Sequence, residues 1–426
     1  MNFKTISVVG LGYIGLPTAA VFASRKINVV GVDINQQSVD TINRGEIHIV
    51  EPELDIVVHA AVTEGFLKAT TKPEPADAFL IAVPTPFLFD SENDIPVPDL
   101  SYIESAAKAI APVLEKGNLV ILESTSPVGA TEQMAEWLAK ARPDLTFPQT
   151  HGESSDIRIA HCPERVLPGH VIRELVENDR VIGGMTVKCS NAAVDLYKIF
   201  VNGDCVITDT RTAEMAKLTE NSFRDVNIAF ANELSVICDK LDINVWELIE
   251  LSNRHPRVNI LQPGPGVGGH CIAVDPWFIV SKTPEDARII HIARKINDSK
   301  PHWLIKKVVE AISDIVHSSS KTVSDISVVC FGITFKPDID DLRESPALDI
   351  CTQLASKYRG QVNVVEPNVK RLPQGLLANK SSLISLEQAV TTSDIIVMLV
   401  DHKEFIEHDY KALAGQHLID SKGIWL

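Results

Sequence analysis

Along the first two hundred residues, short apolar runs alternate with stretches of helical spacing. Ile6 to Val9 is a β-branched run that stops at glycines, Thr18 to Ser24 has helical spacing, and Asn28 to Val32 is a second apolar run ending at Asp33. Further apolar runs at Ala78 to Val83 and Leu119 to Leu122 flank helical patterns such as Tyr102 to Leu114. Strands alternating with helices predict an α/β domain built on a parallel, doubly wound sheet. From Thr212 to Leu241 runs a long helical pattern free of proline and glycine, and its apolar members Met215, Leu218, Phe223, Ile228 and Phe230 predict a largely buried helix. Helical spacing then dominates to about His317, broken by the loop GPGVGGHCIAVDP at Gly264 to Pro276; a polar segment containing HSSSKTVSD reads as a linker.

After the linker the opening pattern returns. ISVVGLG at Ile6 to Gly12 is echoed by ISVVCFG at Ile326 to Gly332, NVVGVD at Asn28 to Asp33 by VNVVEP at Val362 to Pro367, and ADAFLIAV at Ala76 to Val83 by SDIIVMLV at Ser393 to Val400. Any one pair could be a coincidence of apolar strands, but the shared order argues for a repeated unit. The expected architecture is two Rossmann-like doubly wound domains, residues 1–205 and 318–426, joined by a long central helix and helical segment over 206–317.

Composition narrows what such a chain can bind. Forty basic against 56 acidic residues give a net charge of −16, which argues against nucleic acid and anionic membranes as partners and leaves room for a local basic pocket. Seven scattered cysteines without a C-x-x-C pair read as reduced thiols, with neither a disulfide framework nor a metal site. No leader pattern opens the sequence and no apolar run nears the ~18 residues of a membrane span, so a soluble cytoplasmic protein is expected.

Gly10, Gly12 and Gly15 form G-x-G-x-x-G, enclosing Tyr13 and Ile14, after a predicted strand and at the mouth of a helix. Such glycines permit a tight turn and close approach to a pyrophosphate, which the helix N-terminus attracts. Asp33 closes the second strand, where a carboxylate binds a ribose 2′-hydroxyl and repels a 2′-phosphate, so NAD is the expected cofactor. The C-terminal copy keeps only Gly332 of the three glycines.

Cys271 lies in the glycine-rich loop beside His270 and shortly before Asp275, a setting that suits a nucleophile better than a core thiol. Lys217 and Asn221 are spaced one helical turn apart, with Arg224 three residues on, so all three can share a face; a solvated or salt-bridged stripe is the other reading. Glu164 and Arg165 in CPERVLPG, and Thr85 in VPTP with Thr125 in ESTSPVG, follow apolar runs and point to the ligand edge of the sheet, although surface turns and local hydroxyl bonds account for them equally. Lys336 and Arg343 in FKPDIDDLRESPA can meet phosphate or carboxylate, or pair with Asp338, Asp340, Asp341 and Glu344. His255 and Arg257 either bind substrate or end a helix.

Taken in order, GLGYIGLP, VPTP, ESTSPVG, CPERVLPG, EMAKLTEN, GVGGHCIAVDP and FKPDIDDLRESPA resemble the nucleotide-sugar dehydrogenases of the UDP-glucose/GDP-mannose type over essentially the whole chain. The resemblance implies NAD-dependent four-electron oxidation of a sugar C6 alcohol to a carboxylate. NSFRDVNIAFANEL and NRHPRVNILQPGPGVGGHCIAVDPWF put UDP-N-acetyl-D-mannosamine first as substrate, with UDP-glucose, UDP-GlcNAc and GDP-mannose as alternatives. By resemblance, Cys271 is the nucleophile, Lys217 the acid/base or oxyanion stabiliser, Asn221 and Asp275 aid proton transfer and hydrolysis, and Glu164 activates water or shuttles protons. Arg165, Val166, Lys217, Asn221, Arg224, His255, Arg257, Gly268, Lys336 and Arg343 match substrate-contacting positions, and Lys422 reaches cofactor or substrate. The C-terminal domain would bind UDP, the central helix would form a homodimer, and the product would enter surface polysaccharide of the enterobacterial common antigen type.

Overall fold

The structure, a computed structural model, describes residues 3–49, 51–90, 93–166, 169–269, 271–408 and 415–425. It has two compact units, one formed by Met1–Glu220 and Trp277–Lys282, the other by Asn221–Pro276 and Thr283–Leu426.

In the first unit, strands β1 (Thr5–Val9), β2 (Asn28–Val32), β3 (Leu67–Thr70), β4 (Ala78–Ile81), β7 (Leu119–Leu122), β8 (Arg158–His161), β9 (Arg180–Gly184) and β10 (Cys205–Asp209) form one sheet; β5 (Phe87–Asp90) and β6 (Asn93–Pro98) make a separate hairpin. The sheet order is β10-β9-β8-β7-β4-β1-β2-β3, so the chain reverses its direction of travel between β1 and β4. The β4 and β7 strands are buried along their whole length, as expected where helices cover both faces. Their alternate residues feed opposite cores: Leu119 and Ile121 pack with Ile6, Val8 and Leu16, whereas Val120 and Leu122 pack with Phe79, Ile103 and Leu138.

Two details differ from the sequence reading. The pairing of β8 with β9 is antiparallel while β9 and β10 are mutually parallel, so the last two strands of the sheet run against the others. The first helix spans Gly15–Ser24 and begins earlier than its apolar spacing suggests, because Ile14 gives no side-chain cap and the glycine turn sets the start.

The second unit repeats the fold in smaller form. Strands β11 (Ser327–Phe331), β12 (Gln361–Val365), β13 (Ile395–Met398) and β14 (His417–Asp420) form an all-parallel sheet in the order β12-β11-β13-β14, which matches β2-β1-β4-β7. The likeness extends to single hydrogen bonds. Asp33 accepts from Leu11 N and Asn35 N, each at 2.9 Å, and Glu366 accepts from Ile333 N and Asn368 N at the same distance. Helices Val245–Asn253 and Arg288–Ser318 belong to this unit.

The helix Thr210–Leu241 is as long as predicted but is not largely buried in this chain. Met215, Phe223, Phe230, Ile237 and Leu241 are exposed, and the spacing of Phe223, Phe230 and Ile237 is heptad-like. Among the described residues, no helix is long and apolar enough to cross a membrane.

Candidate functional site

The C-terminal ends of β1, β2, β4, β7 and β8 lie on one edge of the first sheet, and the crossover reversal between β1 and β4 opens a crevice there of the kind that binds ligands in doubly wound folds. Gly10, φ +91°, fits only as glycine: a Cβ would come 2.5 Å from Ala82 O at the end of β4. At Gly15 a Cβ would stand 1.8 Å from Gly10 O, so the helix rides directly on the turn. Gly12 is different, since a Cβ there meets no protein atom within 4 Å. Two glycines therefore shape the cradle and the third leaves its space for a ligand. Tyr13 packs half-buried against the core, Ile14 precedes the helix, and the first turn carries no acid to repel a phosphate. Asp33 braces the turn through both carboxylate oxygens and stays partly exposed. The cradle fits NAD.

Thr85 and Thr125 follow neighbouring strands and meet there, with Thr85 Oγ1 donating to Thr125 O at 2.5 Å. Ser124 Oγ donates to Val83 O at 2.7 Å, adding a second cross-link between the same turns.

Glu164 sits beyond β8 in a polar cluster that sequence reasoning missed. Its Oε2 accepts from Arg180 Nη1 at 2.6 Å and its Oε1 from Arg165 N at 2.7 Å, with both partners of the ion pair almost fully enclosed. The Arg180 guanidinium also lies 5.1 Å from the Tyr197 ring and 5.8 Å from the Phe200 ring, while Tyr197 Oη donates to Glu123 Oε1 at 2.6 Å. Burial, reinforced by the neighbouring Glu164, pushes Glu123 up to about 7 against the pull of Tyr197 and Arg180. Burial likewise drives His161 down to about 3 and Cys162 up to about 12, so both are neutral. The antiparallel register explains the pairing: His161 opposes Gly183, and continuing that register three residues brings Glu164 opposite Arg180. Arg165 is paired with Glu220 at 2.6 Å, and Val166 packs against the core.

In the second unit, Cys271 is exposed, and its carbonyl accepts from Val274 N at 3.1 Å and Asp275 N at 2.8 Å. That turn starts the helix Asp275–Lys282 one turn after the thiol. Asn221 Nδ2 donates to Asp275 Oδ2 at 2.5 Å, and both groups are buried. The long helix is thereby tied to the cysteine loop. One turn before Asn221, Lys217 is 9 % exposed and, among the described residues, has no hydrogen-bond or ion-pair partner. An unpaired buried ammonium is costly unless a ligand brings negative charge to it. Arg224 departs from this pair and is exposed. His270 lies outside the described residues.

Gly268 is excluded from bearing a side chain by the C-terminal motif, since a Cβ would come 2.3 Å from Glu344 O and 2.7 Å from Pro346 Cδ. Gly264, Gly266, Phe335, Pro346, Asp401 and Lys422 line one cavity, in which Lys422 pairs with Asp401 at 3.0 Å. Lys336 is exposed on the adjoining turn, and Arg343 forms a bidentate pair with Asp341, its Nε 2.9 Å from Oδ1 and its Nη2 2.5 Å from Oδ2. His255 and Arg257 are exposed just past the helix Val245–Asn253, where His255 Nδ1 accepts from Arg257 N at 3.3 Å.

Comparison with known proteins agrees with this arrangement. Residues 4–201 match the NAD binding domain of the UDP-glucose/GDP-mannose dehydrogenase family, 211–299 its central domain and 329–425 its UDP binding domain. The chain is 64 % identical over 428 residues to UDP-N-acetyl-D-mannosamine dehydrogenase of Yersinia pestis, covering 100 % of both. It is 62 % identical over 425 residues to NDP-N-acetyl-D-galactosaminuronic acid dehydrogenase of Ralstonia nicotianae, covering 100 % of this chain and 97 % of the relative. Among solved structures, UDP-D-ManNAc dehydrogenase of Pyrococcus horikoshii superposes with a TM-score of 0.86 at 39 % identity over 99 % of this chain and 96 % of that one. With a dinucleotide cradle at its sheet edge and three matched domains along its length, the chain belongs to the UDP-glucose/GDP-mannose dehydrogenase family and is an NAD-dependent nucleotide-sugar dehydrogenase.

Proposed function

We propose that the protein oxidises the C6 alcohol of UDP-N-acetyl-D-mannosamine to the carboxylate in two successive steps on one bound sugar, using residues 1–205 for NAD, 206–317 for the chemistry and 318–426 for UDP. The observation that carries this reading is the set Cys271, Asn221 and Asp275, a thiol one turn from a buried carboxylate that is itself held by an amide of the long helix. Relatives named UDP-N-acetyl-D-mannosamine dehydrogenase at 62–64 % identity support the substrate. NAD, when bound, accepts the hydride in each oxidation. Cys271 as thiolate adds to the C6 aldehyde, holding that carbon as a thiohemiacetal and, after the second oxidation, as a thioester. Lys217 and Asn221 stabilise the oxyanion of each tetrahedral species, an effect worth about 3 kcal/mol per donor. Asp275 takes the proton from the water that cleaves the thioester, releasing the Cys271 thiol and the acid. Glu164, fixed by Arg180 and Arg165 N, holds the shape of the ligand edge and supports that proton transfer. Arg165, Val166, Arg224, His255, Arg257, Gly268, Lys336, Arg343 and Lys422 shape the nucleotide-sugar site.

The test is stoichiometry against a panel of UDP-ManNAc, UDP-GlcNAc, UDP-GalNAc, UDP-glucose and GDP-mannose. Two NADH per acid with UDP-ManNAc are expected, and Cys271→Ser is expected to bind NAD and sugar nucleotide without forming acid. One NADH with free aldehyde, or normal acid formation by the serine variant, would overturn the scheme; preference for UDP-GalNAc would favour the specificity named for the Ralstonia relative. We further propose a cytoplasmic homodimer built on Phe223, Phe230, Ile237 and Leu241, supported by their exposure and spacing. Sedimentation velocity showing a monomer at micromolar concentration would remove it. The acid product suits surface polysaccharide synthesis, including the enterobacterial common antigen type.

A further inference from the structure

We infer that Asn232, Asn297, Asp225 and Arg294 form a buried polar strut that positions the cysteine loop by holding its first residue and the residue after the thiol; this rests on the reading of Cys271 as nucleophile. Asn232, on the helix Thr210–Leu241, accepts from Gly264 N through Oδ1 at 2.9 Å and donates through Nδ2 to Asn297 Oδ1 at 2.8 Å. Asn297, on the helix Arg288–Ser318, donates to Asp225 Oδ1 at 2.8 Å and to Asp225 O at 3.1 Å. Arg294 Nη1 closes the chain, donating to Asp225 Oδ1 at 2.6 Å and to Ile272 O at 3.4 Å, while its other terminal nitrogen goes to Asp298. Gly264 opens the loop, and Ile272 directly follows the thiol.

The loop needs such a device because glycines at 264, 266, 268 and 269 give it no side chains of its own there and a large entropy of ordering. All four strut residues are at most 2 % exposed. Apolar side chains would join two packed helices without burying an ion pair, so burial this complete calls for a task beyond helix packing. A neighbouring polar contact provides the comparison. Lys300 Nζ donates to Ser235 Oγ between the same two helices and lies 3.9 Å from the Trp303 ring centroid, and among the described residues it makes no bond to the loop.

These are positioning residues, and a loop displaced by about 1 Å is expected to lower kcat by about 10²-fold. Asn232→Ala should show that loss with the KM for NAD within about twofold, faster amide exchange in peptides covering 264–272, and an altered rate of Cys271 alkylation by iodoacetamide. Asn232→Gln keeps an amide acceptor for Gly264 N and an amide donor for Asn297, and should recover part of the lost turnover. Arg294→Lys keeps the charge facing Asp225 but shortens the reach to Ile272 O, giving a second probe if Asn232→Ala does not fold. Lys300→Met should leave turnover and loop exchange within about twofold of wild type. Wild-type turnover in folded Asn232→Ala, or an equal loss in Lys300→Met, overturns the strut. Acid formation by Cys271→Ser would instead defeat the nucleophile reading, and amide exchange of the loop still decides the strut.

Discussion

Replacing Arg180 by methionine isolates the force that holds the ligand edge of the first sheet. Arg180 and Glu164 are 3 % and 6 % exposed and meet at 2.6 Å, so solvent screens the pair little. Methionine keeps an apolar chain near Tyr197 and Phe200 but leaves the Glu164 carboxylate without its counter-charge. Removing one partner of a buried ion pair strands the other charge away from water, at a cost of about 4 kcal/mol, the middle of the ~3–5 kcal/mol range for such a lesion. For a domain of about 200 residues it lowers Tm by roughly 8–16 °C. Urea unfolding of wild type, Arg180→Met, Glu164→Gln and the double variant gives the cycle directly. Glu164→Gln in the Arg180→Met background should regain most of the loss. A loss under about 1 kcal/mol at pH 7, or a double variant no better than the single, would refute the reasoning.

Two further outcomes follow from the same edge. Gly12→Ala should keep its stability to within about 1 kcal/mol, since the added methyl meets nothing within 4 Å, yet lose about tenfold or more in NAD affinity by calorimetric titration. Gly15→Ala should lose the fold itself, because its methyl lands 1.8 Å from Gly10 O; equal stability losses in the two variants would refute the division of labour. Glu123, raised from 4.5 to about 7, holds a proton in the native state that the unfolded chain has released. Wild-type stability should therefore decline as pH rises through that window and level off above it, whereas Glu123→Gln lacks this slope; identical urea-derived slopes at pH 5 and 8 would count against it.

The strand runs and the repeat were legible because buried parallel strands are written as unbroken apolar stretches, and both copies keep them in order. What those stretches omit is direction. Nothing in RVIGG tells that β9 runs against β8, and without that reversal Arg180 has no visible tie to Glu164. The glycine cradle could be read because it is local, whereas its first helix has no capping residue to mark its start. On the central helix the spacing of Lys217 and Asn221 was readable, but burial was not. Phe223 and Phe230 look like core in the sequence and are exposed in the chain, since apolar character alone does not say which surface covers it. Asp225 and Arg294 escaped notice for a related reason: a buried ion pair joins residues far apart in sequence and looks, at either end, like an ordinary charged position.

The paired clasps at Asp33 and Glu366 offer an internal standard. Both carboxylates gather two backbone N–H groups across the same strand-turn junction, but Glu366 also meets His402 Nε2 at 3.2 Å and is largely enclosed, whereas Asp33 keeps exposed surface. Bracing the turn is therefore the older duty of this acid, in the sense that it survives in a copy without the glycine cradle. In the proposed NAD site, Asp33 meets the ribose with lone pairs that the brace leaves over. Measured in a background that lacks the His402 contact, a lesion at Glu366 gives the brace, and subtracting it from the matching lesion at Asp33 separates what the carboxylate does for the fold from what the proposed site asks of it at the ribose.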